Sequence, residues 1–149
     1  MSVREMMTRY TINLLIMLAF CYPSMVSAEN YPMVVVNPTI NAKAFLPKTT
    51  LSAIFGMRLR KWQDGSPIKV FVLPDQNSLH IAFSKHVLRV FPHQLRSAWD
   101  RLVFSGTGEE PIRVKTEQEM RTVVSSTPGA IGYLSPEMID DTVKVFPSE

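Results

Sequence analysis

The sequence predicts an α/β fold in which helices flank a mostly parallel central sheet. A short, fully apolar run at 33–36 and a mostly apolar run at 68–73 contain several β-branched residues, which is typical of strands covered on both faces. Between such runs, apolar residues recur at three- and four-residue steps, which indicates amphipathic helices. Strands that alternate with helices form layered α/β folds, and the crossovers favour parallel pairing.

The first elements are a strand and a short helix. Met33–Val36 is the first predicted strand, and 39–48 is a predicted loop. Thr50 is placed to cap a helix over Leu51–Phe55, which Gly56 can end.

A basic patch, Arg58–Lys61, follows this helix. Two interpretations stay open: a solvated face beside Trp62, or a docking surface for an acidic partner. The turn-forming composition of 63–67 then leads into the second predicted strand, Ile68–Leu73, which Pro74 stops.

Two helices follow the second strand. Asn77 or Ser78 can cap the first, and Pro92 opens the second at a position that helices favour. The predicted inward stripe of the first helix comprises Leu79, Ala82, Phe83, Val87 and Val90. The predicted inward stripe of the second comprises Leu95, Trp99, Leu102 and Val103.

The last third of the chain repeats the strand and helix pattern. After a loop at 105–108, Thr116 and Glu119 fit a capping box for a helix that Pro128 ends. The three remaining predicted strands are Ile112–Val114, Ile131–Leu134 and Val143–Val145.

Residues 1–28 have the pattern of a cleaved secretory signal peptide. Arg4 and Arg9 precede a mostly apolar stretch, Thr11–Tyr22, that is short for a membrane span. Val26-Ser27-Ala28 fits a signal-peptidase site, so we expect cleavage before Glu29 and one domain over 29–149. An uncleaved signal anchor is the alternative.

Composition excludes several classes of protein. The only cysteine, Cys21, lies in the predicted signal peptide, and Phe20 before it does not suit lipidation. Disulfides, thiol catalysis and cysteine-ligated metals are therefore not expected in the mature domain. The formal net charge of +3 is too small for a nucleic-acid binder, and basic and aromatic residues do not alternate.

No pattern predicts catalysis, a metal or a cofactor. His80, His86 and His93 lack the spacing of a zinc pair and are expected at helix surfaces or boundaries. Asp140 and Asp141 are adjacent and point apart, which favours solvated charge over a catalytic dyad. Serine-nucleophile and phosphate-loop signatures are absent, so we do not expect an enzyme.

The segment from Leu73 to Ser78 is the candidate binding site. It joins a buried strand to a helix start, and ligands of open α/β sheets collect at the carboxyl ends of strands. Free amides and the partial positive charge of a helix N-terminus favour anions, and Asn77 and Ser78 add side-chain donors. The alternative is that these two side chains only cap the helix.

Three motifs resemble one protein family. Leu51–Gly56, Trp62–Ile68 and Thr127–Tyr133 occur in the order and spacing found in the second lobe of phosphate-type periplasmic solute-binding proteins. The resemblance runs from about Met33 to Met138. It implies a single periplasmic-binding-protein-like lobe, similar to short single-lobe relatives. It further implies an exported, nominally phosphate-binding component of an ABC transporter, located in the periplasm, with an ABC permease or another envelope protein as partner.

The resemblance also implies a binding site. In the two-lobe family the strand-to-helix segment reads Arg-x-Asp-Gly-Ser-Gly-Thr, and its arginine, serine and threonine grip an oxyanion. Here only Asp75 is kept; the altered positions are Leu73, Gln76, Asn77, Ser78 and Leu79, in place of Arg, Gly, Ser, Gly and Thr. A charge-assisted bond contributes about 1.5–3 kcal/mol, so these losses predict binding weaker by about 100-fold or more. The predicted ligand-binding residues are Asp75, Gln76, Asn77 and Ser78.

A second function hypothesis is an interaction module of the cell envelope. The departures at Leu73, Gln76 and Leu79 motivate it, because a lobe that has lost its ligand can still dock on another protein. Arg58, Arg60 and Lys61 would then be the contact surface.

Overall fold

A computed structural model describes residues 31–41 and 46–146 of the chain. The predicted signal peptide lies outside these residues. The described part forms a five-stranded sheet with helices against it, in the order β3-β2-β4-β1-β5. The strands are β1 (Met33–Val36), β2 (Lys69–Val72), β3 (Ile112–Arg113), β4 (Ala130–Leu134) and β5 (Lys144–Val145).

Four of the five strands run in the same direction. β2 pairs in parallel with β3 and with β4, whereas β1 is antiparallel to both of its neighbours, β4 and β5. The register places Met33 opposite Leu134, so the amino end of β1 lies at the edge where β4 ends. The predicted α/β class with a mostly parallel sheet is confirmed.

Four helices connect the strands. They are α1 (Lys48–Phe55), α2 (Ser78–Ala82), α3 (Pro92–Phe104) and α4 (Glu117–Ser126). A π-helical turn, Phe83–Leu88, continues α2 without a break, and a short 3₁₀ turn, Pro136–Met138, follows β4.

The core lies on both sides of the central strands. Every residue of β4 and the last three residues of β1 and β2 are buried, as fully apolar strand sequences predict. On one face the Phe83 ring stacks on Tyr133 with centroids 4.0 Å apart and meets Phe55 edge-on at 4.7 Å. Trp99 Nε1 donates to the Phe55 carbonyl oxygen at 2.8 Å, which fastens α3 to the end of α1.

The start of α1 differs from the prediction. The helix begins at Lys48 with Pro47 as the N-cap, and no side chain caps it. Thr50 lies inside the first turn, where its N–H donates to the Pro47 carbonyl. Proline fixes the backbone angle that a helix entry needs, so no capping hydroxyl is required. The helix ends before Gly56 as predicted, but the left-handed residue is the next one, Met57, with φ 60°.

The stripes of α2 and α3 were predicted only in part. The buried residues after β2 are His80, Phe83, Ser84 and Leu88, whereas Leu79, Ala82, Val87 and Val90 are half-buried. The buried set still follows three- and four-residue steps, but it lies one position further along the chain than the predicted stripe. On α3, Leu95 and Trp99 are buried as predicted, but Val103 is 47% exposed.

The capping box of α4 forms with an offset of one residue. The Glu119 N–H donates to Oγ1 of Thr116 at 3.1 Å, as predicted. The Glu119 carboxylate, however, accepts from the backbone N–H of Lys115 rather than of Thr116, at 2.7 Å. The box therefore satisfies one amide of the helix and one of the chain leading into it.

Two of the three family-like motifs, Trp62–Ile68 and Thr127–Tyr133, contact each other directly. Trp62 Nε1 donates to the Gly129 carbonyl at 3.1 Å, and the Lys69 N–H donates to the same oxygen at 3.0 Å. Gly129 has φ 78°, and a Cβ at that position would lie 2.2 Å from the Pro67 carbonyl oxygen. Only glycine fits at this position. The hydrogen bonds to its carbonyl oxygen join the starts of β2 and β4.

Candidate functional site

The candidate site is the junction of β2 and α2, residues 73–78. The buried Leu73 ends the strand region, and its N–H donates to the Tyr133 hydroxyl oxygen at 2.9 Å. The Asn77 N–H then closes a turn onto the Pro74 carbonyl. The junction lies at the carboxyl ends of the parallel strands, the edge where open α/β sheets bind ligands.

Asn77 is the residue that caps α2. Its Oδ1 accepts from the N–H groups of Leu79 at 2.9 Å and His80 at 3.4 Å. The Nδ2 group of Asn77 has no acceptor in the described part of the chain, so the same side chain still offers two N–H donors.

Gln76 and Ser78 are exposed on either side of the cap. Within the described residues, neither backbone N–H has an acceptor, and neither side chain has a hydrogen-bond partner. Together with Asn77 Nδ2, these donors belong to three consecutive residues at the helix start, and no acceptor in the described residues takes them up.

Asp75 is held by an arginine from α3. Its two carboxylate oxygens accept from Arg96, with Nε 3.0 Å and one terminal nitrogen 2.9 Å away. Both side chains are partly buried, and the guanidinium also lies over the Trp99 ring at 4.8 Å from its centroid. The hydrogen bonds from Arg96 hold the pKa of the Asp75 carboxyl below its usual value and raise the pKa of Arg96.

The pair continues into a chain of four alternating charges. The other terminal nitrogen of Arg96 lies 3.0 Å from Glu110, and Glu110 is also 3.0 Å from Arg113. Two carboxylates and two guanidiniums balance, so Asp75 brings no uncompensated negative charge to the junction.

A buried polar network lies beneath the junction. The Tyr133 hydroxyl oxygen accepts from the Leu73 N–H and lies 2.6 Å from Nδ1 of His80. We assign the tyrosine as the donor in this second bond, because its buried hydrogen has no other acceptor in the described residues. This assigns the His80 proton to Nε2, which has no partner in the described part of the chain. Burial lowers the pKa of His80, with Asp75 opposing and Arg96 adding to the effect, and burial raises the pKa of Tyr133.

The histidines do not share one environment. His80 is fully buried, so the expectation of a surface or boundary position was wrong for this residue. It lies on the inward face because the buried stripe of this helix is shifted by one position from the stripe that the apolar residues predict. His86 and His93 are exposed, as expected.

The remaining polar candidates have structural partners. Asp140 accepts from Thr142 and pairs with Arg121 at 3.1 Å, while Asp141 is exposed. Among residues 31–41 and 46–146, no three His, Cys, Asp or Glu side chains cluster as metal ligands. No helix over the same ranges has the length and apolar character needed to cross a bilayer.

In the basic patch, Arg58–Lys61, one arginine side chain is hydrogen-bonded within the described part of the domain and another is not. Arg60 donates to the Thr107 carbonyl at 2.7 Å, which ties the patch to the loop after α3. Arg58 makes no ion pair or side-chain hydrogen bond within the described residues.

Sequence reasoning did not find Arg96, Tyr133 or His80 as parts of this site. Arg96 is 21 positions from Asp75, and nothing local marks it. Tyr133 lies in a strand where an aromatic residue is expected to be core. The one available signal was His80, a polar residue three positions after the capping Asn77 and next to the apolar Leu79 and Ile81.

Comparisons with known proteins agree with this architecture. A family model described as a PBP superfamily domain matches residues 28–143. No curated protein matches the chain significantly.

Solved structures share the fold at low sequence identity. An ABC-type phosphate transport receptor from Vibrio cholerae aligns with a TM-score of 0.60 and 16% identity, over 78% of this chain and 45% of the receptor. A Clostridium perfringens protein assigned as a phosphate ABC transporter substrate-binding protein was solved with bound phosphate. It aligns with a TM-score of 0.64 and 16% identity, over 78% of this chain and 44% of that protein. PstS from Borrelia burgdorferi aligns with a TM-score of 0.56 and 15% identity, over 80% of this chain and 47% of PstS. The chain thus spans less than half the length of these proteins.

Proposed function

Since the chain belongs to the PBP superfamily domain family, we propose that it is an exported solute-binding domain that holds a small oxyanion non-covalently at the junction of β2 and α2. The ligand is of the phosphate class; Gln76, Asn77 and Ser78 contact it, and Asp75, the fourth residue of the predicted site, anchors the loop through Arg96. An ABC permease of the envelope is the proposed partner. The observation that carries the proposal is the set of unused donors on Gln76, Asn77 and Ser78 at this strand-to-helix junction.

The donors suit a tetrahedral anion. Backbone N–H groups of Gln76 and Ser78, the Ser78 hydroxyl and Nδ2 of Asn77 are all hydrogen-bond donors near one helix start. An oxyanion has only acceptor oxygens, and amides at a helix start favour negative charge.

Arg96 removes the repulsion that Asp75 would otherwise exert on an anion at the junction. An unpaired Asp75 carboxylate one residue from the donors would repel the ligand, but the bidentate contact with Arg96 neutralises it. Asp75 thus acts as the residue that anchors the loop and the guanidinium. This role differs from a direct contact with the ligand.

We expect weak binding. No cationic side chain replaces the arginine missing at Leu73, and one lobe cannot enclose a ligand as a closed cleft does. A dissociation constant on the order of 0.1–1 mM corresponds to a few charge-assisted bonds after the cost of association.

The test is a thermal-shift titration of the purified protein with phosphate and sulfate. A ligand that binds only the folded state raises Tm once its concentration passes Kd. Asn77→Asp is the sharpest variant, because a carboxylate keeps the acceptor for Leu79 and His80 but removes the Nδ2 donors and repels an anion. We expect this variant to fold normally and to lose the phosphate-dependent shift.

Gln118→Glu is the matched control. It makes the same amide-to-carboxylate change on the exposed face of α4, so the phosphate shift should persist. A chain that shows no saturable shift up to about 10 mM phosphate or sulfate would contradict the proposal. So would equal shifts in the wild type and in Asn77→Asp.

A further inference from the structure

A groove separate from the junction opens between the end of α1 and the side of α3. Its volume is about 640 Å³. The apolar floor comprises Leu88, Val90, Leu95, Ala98 and Leu102. Leu88 and Leu95 are buried beneath it, whereas the other three side chains are half-buried and face the opening. None of residues 73–78 lines this groove.

Two left-handed residues shape the groove. Met57 and Arg89, with φ of 60° and 59°, are the non-glycine residues of positive φ in the described ranges. Each ends a helix beside the groove. After Met57 the chain turns so that Arg58 lines one wall, and after Arg89 the Val90 N–H returns to the Ser84 carbonyl at 3.0 Å and places Val90 at the floor.

The walls carry positive charge without compensation. Arg58 and Arg101 both line the groove, and no Asp or Glu does. Over residues 31–41 and 46–146, neither arginine makes an ion pair or a side-chain hydrogen bond. Arg60 and Arg96, by contrast, are bound to a carbonyl and to carboxylates.

Polar groups that can share an anionic head also line the walls. Ser52 is half-buried and Gln94 is exposed at the groove, whereas the Ser105 hydroxyl already donates to the Leu102 carbonyl at 3.2 Å. A guanidinium matches a carboxylate or phosphate bidentately, and serine and glutamine side chains add single hydrogen bonds.

We propose that this groove binds a free single-chain amphiphile with an anionic head. Its alkyl chain lies along the leucine and valine floor, and its head contacts Arg58 and Arg101. The volume falls in the range of small-molecule sites, which combine an apolar lining with a few polar groups that fix orientation. The proposal does not depend on oxyanion binding at the junction, because the two sites share no residue.

The test is an amide NMR titration of the purified protein with dodecanoate below its critical micelle concentration. We expect saturable shifts at residues 88–90 and 95–102 and none that saturate at 74–78. Arg58→Gln and Arg101→Gln should each weaken dodecanoate binding by about tenfold, as the loss of one charge-assisted bond implies. Lys115→Gln removes an exposed charge outside the groove and should leave the affinity unchanged.

Head-group and shape controls complete the test. Dodecyltrimethylammonium has the same chain with a cationic head and should bind at least about tenfold more weakly. Ala98→Phe fills the groove without a change of charge and should abolish the dodecanoate shifts while Tm shows that the protein is folded. Equal binding of both head groups, or full dodecanoate affinity in the two arginine variants or in Ala98→Phe, would overturn the proposal.

Discussion

The Tyr133 hydroxyl joins β2 to α2 through two hydrogen bonds, because it accepts from the Leu73 N–H and donates to Nδ1 of His80 over 2.6 Å. The direction of the second bond requires a neutral imidazole. A protonated His80 would donate from Nδ1 and leave the tyrosine hydrogen without an acceptor. The protonation state of one buried residue therefore determines whether the base of the junction is intact.

Stability should fall as the pH drops below about 6.5. Burial lowers the pKa of His80 in the folded state from its ordinary value of 6.5, so the unfolded chain binds more protons between that pH and the lower folded pKa. The contribution of His80 is fully present above pH 6.5 and is lost as the pH falls through this window. Urea unfolding at pH 7.5, 6.5 and 5.5 measures it, and His80→Gln should flatten this part of the profile.

His93→Gln is the matched control for that experiment, because it removes an exposed imidazole from α3. The contribution of His80 is the difference between the two variants. Identical pH profiles for wild type and His80→Gln would show that the buried imidazole does not control acid stability.

Tyr133→Phe should destabilise the fold by about 2–4 kcal/mol. The ring and its packing against Phe83 remain, but the Leu73 N–H and His80 Nδ1 lose their partner in the interior. Equilibrium urea unfolding gives the value. In a His80→Leu background the same change should cost less, since only the Leu73 N–H is then left without its partner; strict additivity would mean that the two side chains do not interact.

Arg96→Gln should lower stability by about 1–2 kcal/mol, because it leaves a partly buried carboxylate without its bidentate partner. The same variant should weaken phosphate binding, since Asp75 then carries uncompensated charge beside the donors. Asp75→Asn in the Arg96→Gln background should restore part of the stability. Glu110→Gln tests the exposed end of the network and should change stability by less than about 0.5 kcal/mol.

Stability should fall again at lower pH. Arg96 holds the folded pKa of Asp75 below its ordinary value of 3.8, so the stability from the pair is present above that pH and is lost as the pH falls through the lower folded pKa. Acid unfolding monitored by circular dichroism below pH 4 measures this loss. Asp75→Asn should reduce it, and an unchanged acid midpoint would contradict the assigned role of the pair.

Gly129→Ala should cost more than about 3 kcal/mol. The added Cβ meets the Pro67 carbonyl oxygen at 2.2 Å in addition to the strain of φ 78°. Gly106→Ala is the control, since Gly106 has φ 66° with nothing within 4 Å of the added Cβ, and should cost about 1 kcal/mol. Similar Tm losses in the two variants would mean that the contact with Pro67 is not rigid.

The parts of the fold that were predictable depend on local chemistry. Met33–Val36 and the residues of β4 read as buried strands because uniform apolar character needs no knowledge of the partner strand. Pro92 marks a helix start through its fixed backbone angle, and Thr116 marks one through its capping hydroxyl. The sequence pattern did not indicate that β1 runs opposite to the other strands, because a four-residue apolar run fits either direction.

The parts of the junction that were not predicted depend on contacts between residues far apart in sequence, or on which face of a helix is buried. Asp75 and Arg96 meet only after α2, the π turn and the start of α3 have packed, and charged residues on a helix are usually solvated. His80 was misassigned because the apolar residues predicted that Leu79 and Ala82 face inward, whereas the buried stripe is shifted by one position and includes His80 and Ser84. Capping by Asn77 was foreseeable, because its side chain bonds only to its own helix.

Both edges of the described sheet end in strands of only two residues, β3 and β5. Such edges offer few free N–H and C=O groups, and the exposed Arg113 and Lys144 place a positive charge on each. A second chain gains little by extending the sheet, so this fold resists strand-by-strand aggregation. Two copies that assemble around a shared ligand would therefore have to associate through helix faces or through the junction edge.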